Sequence, residues 1–174
     1  MLKNKHASKI LILMVVLMCV TGIWFLKKSN TSSEVVKSNT APSDFSLNVV
    51  DKIDLNKLIS YKIPIIIDFG ADSCIPCKKM APVLAALNSE LQGKAIIKFV
   101  DVWKYGSLAQ GFPVRVIPTQ IFINPKGESY KPSHEVLSKI NFQSAVISGI
   151  HYTFHEGGLA EDDFRIILND METQ

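Results

Sequence analysis

Apolar residues follow two alternating patterns from residue 47 onwards: short β-branched runs and longer stretches with helical spacing. The runs Ile63–Phe69, Ala95–Val102 and Thr119–Asn124 are typical of strands buried on both faces of a sheet. Between the first two runs, Cys77–Leu91 carries a single apolar face made of Met80, Val83, Leu84, Leu87 and Leu91. The pattern therefore predicts two strands joined by a helix, followed by a third strand.

The remaining segments continue this alternation. Asp51–Tyr61 has the spacing of a short amphipathic helix, and Ser107–Phe112 has room for only a helical turn or two. Tyr152–Glu156 is expected to form a strand that pairs with Thr119–Asn124, and Asp162–Met171 carries the apolar face of a closing helix. The order βαβα followed by ββα predicts an α/β fold, with a central sheet flanked by helices.

A long apolar segment near the N-terminus predicts export. Ile10–Leu26 holds 17 residues without a charge and is followed by Lys27 and Lys28. A membrane-spanning helix needs about 20 apolar residues, whereas a signal peptide has an apolar stretch of about 7–15. We interpret residues 1–28 as a membrane anchor that leaves the domain outside the cytoplasm, at the cell surface or in the periplasm. The alternative is a cleaved signal segment and a secreted domain.

Composition separates this N-terminal part from the rest of the chain. Residues 29–46 are rich in Ser, Asn and Thr and predict a flexible linker, which leaves 47–174 as the folded domain. Residues 1–40 hold six Lys and one acid, whereas the remainder holds 13 Lys and Arg against 15 Asp and Glu. The folded part is slightly acidic, so the basic surface of a nucleic-acid-binding protein is not expected.

The three cysteines indicate redox chemistry or metal binding. Cys19 lies in the apolar segment, whereas Cys74 and Cys77 form a C-x-x-C pair, which is not the pattern of a disulfide-stapled secreted domain. A structural zinc site would need a second ligand pair, and His151 and His155 have the spacing. In a strand, however, residues four apart lie about 13 Å from each other. The sequence favours redox chemistry, with no metal and no dissociable cofactor.

The position of the cysteine pair favours a reactive thiolate. Cys74 is expected at the start of a helix, where unpaired backbone N–H groups and the helix dipole stabilise negative charge. Only the thiolate form attacks a disulfide. Cys77 lies one turn further on, close enough to form a disulfide with Cys74 or to resolve a mixed disulfide. Pro76 suits the first helical turn, because it removes a donor that has no partner there.

Two segments of the sequence resemble the thioredoxin family. DFGADSCIPCKKMAP, residues 68–82, resembles the active-site segment of thioredoxins, and Val116–Thr119 resembles their cis-proline loop. The resemblance covers roughly residues 50–172 and implies a thioredoxin fold, with an insertion at about 128–151 before the last strand. Within that insertion, Val136, Leu137, Ile140 and Ile147 have near-helical spacing, which favours core contacts over partner docking.

The resemblance also implies roles for individual residues. Cys74 would be the attacking thiol and Cys77 the resolving thiol of a redox disulfide. Asp68 would be a buried carboxylate that relays the resolving thiol's proton, and Lys98 would pair with this carboxylate. The substrate-binding residues would be Pro118, which lies against the disulfide, the Ile117 backbone, and the intervening pair Ile75 and Pro76.

The function implied is an exported thiol–disulfide oxidoreductase that reduces disulfides of exported proteins. The segment His155–Leu159 resembles exported bacterial thioredoxin-like proteins that work with membrane thiol–disulfide transporters of the cytochrome-biogenesis type, which implies a membrane electron donor. A disulfide-forming oxidase or isomerase remains an alternative, and so does a thioredoxin-fold binding module. Ser73 and Gly70 stand where thioredoxins usually have aromatic residues, so substrate choice does not carry over.

Overall fold

The computed structural model describes Met14, Met18 and residues 44–174. The anchor interpretation of residues 1–28 and most of the linker interpretation lie outside the described residues. Met14 and Met18 themselves are helical and exposed. Among the residues that the structure describes, no helix is long and apolar enough to cross a membrane. Contacts divide the chain into two units, Met1–Asn39 and Thr40–Gln174, and the second carries the fold.

The folded unit is a five-stranded mixed sheet with helices on both faces. The sheet has the order β2-β1-β3-β5-β4, in which β1 and β2 are parallel and all other neighbours are antiparallel. This is the α/β architecture that the alternating pattern predicts. The elements are α1 (Leu55–Ile59), β1 (Ile65–Gly70), α2 (Ile75–Glu90), β2 (Ile96–Asp101), a 3₁₀ turn (Gly106–Ala109), β3 (Thr119–Ile123), α3 (His134–Leu137), β4 (Gln143–Ile147), β5 (Ile150–Glu156) and α4 (Glu161–Glu172).

The central strands are apolar along their whole length because both faces of the sheet are covered. Every residue of β1 and β3 is buried. Ile66 packs in one core cluster with side chains of α2 and α4, whereas Ile65 and Ile67 pack in a second cluster with Leu58 of α1. Successive side chains of a strand point to opposite faces, so the side of each β1 residue follows from its position alone.

The residues for which the sequence predicts an insertion, 128–151, contain a short helix and the edge strand β4. Val136 and Ile140 are buried in the core cluster of α2 and α4, which confirms core contacts, but Leu137 is half exposed. The helical spacing of Ile147 was misleading, since this residue lies on β4, which pairs with β5 from Gln143 to Ile147. β4 was missed because only one of its faces is half-buried, which gives a weaker apolar signal than a central strand does.

The parallel pair β1 and β2 places the cysteine motif at one edge of the sheet. The carboxyl ends of both strands meet there, and the Val102 N–H donates to the Gly70 carbonyl oxygen at 2.9 Å. The loop of residues 71–74 leaves β1 at this edge and leads directly into α2. The sheet therefore fixes where the reactive pair sits.

Candidate active site

The two cysteines lie at the N-terminus of α2, as the sequence predicts. Cys74 is the N-cap residue, and its Sγ accepts a hydrogen bond from the Cys77 backbone N–H at 3.3 Å. Pro76 occupies the first turn. The two residues form a disulfide with their Cα atoms 5.2 Å apart, and both side chains are buried. An anionic sulfur at this position would meet the positive end of the helix dipole.

A carboxylate from the neighbouring strand braces the loop that carries Cys74. Asp101, at the end of β2, accepts hydrogen bonds from the backbone N–H groups of Asp72 (3.1 Å), Trp103 (3.0 Å) and Lys104 (3.1 Å). Lys104 also forms an ion pair with Asp72. Burial raises the pKa of Asp101, but the three backbone donors and Lys104 outweigh it, so the pKa lies below its usual value. The loop geometry is therefore held by an ionised group.

The second motif also reaches the cysteines. The Ile117–Pro118 peptide bond is cis, as expected from the sequence. Ile117 packs against a small buried cluster of Ala71, Cys74 and Cys77. The Pro118 carbonyl accepts a hydrogen bond from the Gly157 N–H at 2.9 Å, which ties the loop to the end of β5. The two motifs, more than forty residues apart in sequence, thus form one site.

Exposed apolar side chains lie next to the buried residues of the site in both motifs. Ile75 is 70% exposed and Val116 is 52% exposed, and Pro76 is also on the surface. Beyond Val116, Arg115 forms an ion pair with Glu156 at 3.1 Å. Scattered exposed apolar residues are common, but here they come from the two motifs that form the site. Ile75, Pro76 and Val116 therefore form an apolar rim of the site.

Asp68 is completely buried on the face of β1 that packs against α2. Burial raises its pKa to about 7, and a hydrogen bond from the Gln120 amide nitrogen to Oδ1, at 2.8 Å, acts in the opposite direction. The second oxygen, Oδ2, has no hydrogen-bond partner among the described residues. A carboxyl with this pKa can take up or release a proton near neutral pH.

The expected pairing of Lys98 with Asp68 is wrong. On β2, Lys98 lies opposite Ile67, whereas the residue opposite Asp68 is Phe99. Lys98 therefore points to the other face of the sheet, where its Nζ donates to the Ser46 carbonyl oxygen at 2.6 Å. The prediction failed by one residue, and in a strand a shift of one residue moves a side chain to the opposite face.

Phe99 and Gly70 lie close together next to Cys77. A Cβ atom on Gly70 would lie 2.9 Å from the Phe99 ring and 3.2 Å from the Cys77 Sγ. Gly70 is therefore required by the close approach of Phe99 and α2 to this point of β1. Beside Cys77, the side chains of Phe99 and Leu47 line a pocket of about 150 Å³.

The sequence reading missed Gln120, Phe99 and Asp101. The available signal for Gln120 was a polar residue in the middle of an apolar run, since β3 reads Thr-Gln-Ile-Phe-Ile and is fully buried. The residues next to Gln120 in the sequence do not indicate which side chain it contacts. The carboxylate–amide contact became visible only with the antiparallel register that places Asp68 opposite Gln120.

The alternative of a zinc site concerns His151 and His155. Among the residues that the structure describes, no group of three or more His, Cys, Asp or Glu is arranged to hold a metal ion. His151 and His155 both lie on β5, as predicted. One ring nitrogen of His155, Nδ1, is hydrogen-bonded to the Asn141 carbonyl oxygen at 2.7 Å.

Comparison with known proteins agrees with this geometry. The thioredoxin family model matches residues 46–148. Thioredoxin C-2 of Corynebacterium nephridii is 36% identical over 80 residues, which cover 46% of this chain and 66% of the relative. Thioredoxin of Rickettsia conorii is 30% identical over 81 residues, which cover 47% of this chain and 76% of the relative.

A solved structure shows the same fold. A mutant thioredoxin from Halobacterium salinarum superposes with a TM-score of 0.50 at 23% identity, over 76% of this chain and 95% of its own. The match of the family model covers more than half of the chain, and the two motifs lie within it. The chain therefore belongs to the thioredoxin family of thiol–disulfide oxidoreductases.

Proposed function

We propose that this protein is an exported dithiol reductase, which reduces disulfides in proteins outside the cytoplasm. The observation that carries the proposal is the position of Cys74 at the N-cap of α2, disulfide-bonded to Cys77 one turn further along. This disulfide is the oxidised product of the reaction, and the reduced dithiol is the form that attacks a substrate.

The first step joins enzyme and substrate. The Cys74 thiolate attacks one sulfur of the substrate disulfide, so that a new S–S bond forms to Cys74 and the substrate S–S bond breaks. The released substrate sulfur leaves as a thiolate and takes a proton from water. The backbone N–H of Cys77 already points at the Cys74 Sγ and stabilises negative charge there.

The second step releases the substrate. The Asp68 carboxylate accepts the proton of the Cys77 thiol, and the resulting thiolate attacks the Cys74 sulfur. The Cys74–Cys77 disulfide forms, and the second substrate sulfur leaves as a thiolate. Two electrons have then passed from the dithiol to the substrate. The pKa of Asp68, about 7, makes this carboxyl a base at neutral pH that can later return the proton.

The substrate segment binds across the rim of the site. We place an extended chain along the Ile117 backbone beside Pro118, with apolar side chains of the substrate on the exposed Ile75, Pro76 and Val116. Backbone pairing of this kind accepts many sequences, because main-chain groups are common to all of them. A reductase with many protein substrates needs such tolerance.

The direction and the location of the reaction rest on the sequence. Pro76 directly before the resolving Cys77 matches the reducing thioredoxins better than the His-containing motifs of strong oxidants. The uncharged segment Ile10–Leu26 supports export with retention at the membrane. The donor that reduces the disulfide again would be a membrane thiol–disulfide transporter, and cytochrome c maturation is one process that uses such electrons.

A trapping experiment tests this proposal. In cells that express the full chain, Cys77→Ser should accumulate mixed disulfides with exported proteins, because no thiol can resolve the bond to Cys74. These complexes should disappear on a gel run with dithiothreitol, and Cys74→Ser should form none. A membrane-impermeant maleimide should label Cys74 of the Cys77→Ser variant in intact cells. Complexes only with cytoplasmic proteins, or labelling only after lysis, would contradict an extracytoplasmic site.

A further inference from the structure

The buried carboxyl Asp68 has a neutral side chain as its hydrogen-bonding partner. Gln120 lies directly opposite Asp68 in the antiparallel pair of β1 and β3, and its Nε2 donates to Oδ1 at 2.8 Å. The same nitrogen lies 3.8 Å from the Sδ of Met80 on α2. Gln120 is itself completely buried. The amide is thus held between the carboxyl and the helix that carries the cysteines.

The charged groups of the surrounding elements do not reach Asp68. On β2, the opposite residue is Phe99, and Lys98 points to the other face of the sheet. On β5, His155 lies opposite Gln120 and its ring is hydrogen-bonded to the Asn141 carbonyl. Lys78 and Lys79 of α2 are exposed. Among the described residues, Gln120 provides the one hydrogen bond to the carboxyl.

An amide at this position is costly for the fold alone. Oε1 of Gln120 and Oδ2 of Asp68 are both buried without a partner among the described residues. A leucine or methionine of similar size would fill the same space and would bring no buried, unpartnered oxygen of its own. Packing alone would favour an apolar side chain at position 120. The polar side chain that is present lies opposite the Asp68 carboxyl.

We infer that Gln120 is a positioning residue of the dithiol site, which holds the Asp68 carboxyl in place and supports it in both of its protonation states. The Gln120 amide has two N–H donors and one carbonyl oxygen, Oε1, that accepts hydrogen bonds. Its N–H groups can donate to the ionised carboxylate through the contact between Nε2 and Oδ1. After rotation of the amide, Oε1 can accept the O–H of the protonated acid, which satisfies both orphaned oxygens. The inference rests on the proposed function, because it assigns Asp68 as the base for Cys77.

The titration of Asp68 is the direct test. In Gln120→Leu the desolvation of the carboxyl has no compensating donor, so its pKa rises above its present value of about 7. We expect the midpoint to rise by about one unit or more, because hydrogen bonds to the charged form lower the pKa of a carboxyl. The midpoint is measured by the ¹³Cγ shift of Asp68 in the oxidised full chain, in which neither cysteine of the pair titrates. A midpoint within about 0.3 unit of the wild type in the folded variant would overturn the inference.

Two controls separate positioning from packing. Ile97→Val trims a buried side chain in the same core cluster without removing a polar group, and it should leave the Asp68 midpoint in place. Gln120→Met matches the volume of the amide more closely, so it keeps the test available if the leucine variant does not fold. Both Gln120 variants should move the midpoint in the same direction.

The kinetic consequence is a change in pH dependence. At pH 7 the rate of mixed-disulfide resolution by Cys77 should fall about five-fold or more in Gln120→Leu, and it should recover at higher pH, where Asp68 is again ionised. In an Asp68→Asn background the same substitution should have no further effect on the pH profile. An equal loss at every pH, unchanged by Asp68→Asn, would overturn the inference. If the chain resolves no mixed disulfide at all, the proposed function fails, whereas the titration still tests the contact.

Discussion

Replacing Asp68 with asparagine should stabilise the folded protein at neutral and alkaline pH. Asp68 is completely buried, and burial raises its pKa from 3.8 to about 7 despite the hydrogen bond from Gln120. In the unfolded chain the carboxyl is exposed to water and has an ordinary pKa. Between these two values the unfolded chain has lost a proton that the folded protein still holds. The contribution of the protonated Asp68 to the unfolding free energy is therefore fully present below about pH 4. It is lost as the pH rises through about 7.

The size of the effect follows from the difference between the two pKa values. A difference of about three units corresponds to about 4 kcal/mol of unfolding free energy at pH values well above 7. Asparagine keeps the shape of the side chain and carries no charge, so it removes this penalty. The gain of Asp68→Asn over the wild type should be small near pH 4 and should grow to about 4 kcal/mol by about pH 9.

The assay is urea unfolding of the oxidised protein at several pH values, for the wild type and the variant. Taking the difference between the two proteins at each pH cancels the other titrating groups. Asp51→Asn, an exposed position in the loop before α1, serves as the control. The difference in unfolding free energy between Asp51→Asn and the wild type should not increase steeply with pH. A difference for Asp68→Asn that stays flat over the whole range would refute the argument that burial controls this carboxyl.

Two further substitutions test the surroundings of the site. Gly70→Ala should lower the unfolding free energy by about 1–3 kcal/mol in denaturant melts, because the added Cβ would lie 2.9 Å from the Phe99 ring. Gly106→Ala, where a Cβ meets open space, should change it by less than about 0.5 kcal/mol, and equal losses would contradict the steric argument. Lys98→Gln should shift the Asp68 midpoint less than Gln120→Leu does, since Lys98 bonds to Ser46 on the other face. A larger shift for Lys98→Gln would restore the lysine as the partner of Asp68.

The central strands could be predicted from the sequence because burial on both faces leaves a continuous apolar run. Ile63–Phe69 and Thr119–Asn124 each matched a strand to within two residues. The edge strand β4 could not be found in this way. Its pairing with β5 depends on backbone hydrogen bonds, and the exposed Val146 is as apolar as the half-buried Ile147, so the sequence does not reveal which face is buried.

The reactive pair was predictable because its chemistry depends on local spacing. Cys74, Pro76 and Cys77 all lie within one helical turn, at the N-cap and first turn of α2, so their positions follow from the local sequence. The partner of Asp68 depends instead on the register of three strands, which the sequence specifies only through the whole sheet. The sequence-based assignment of Lys98 was wrong by one residue. In the observed register, the residues opposite Asp68 are Phe99 on β2 and Gln120 on β3.

The reduction potential of the Cys74–Cys77 disulfide tests the central proposal most directly. The full chain would be equilibrated with dithiothreitol or glutathione buffers, and the two thiols would be quantified by alkylation of their own peptide, which leaves Cys19 out of the measurement. A dithiol reductase fed by a membrane donor should have a potential near that of thioredoxin, about −270 mV. A potential near about −120 mV would contradict the reductive direction and make the protein a catalyst of disulfide formation.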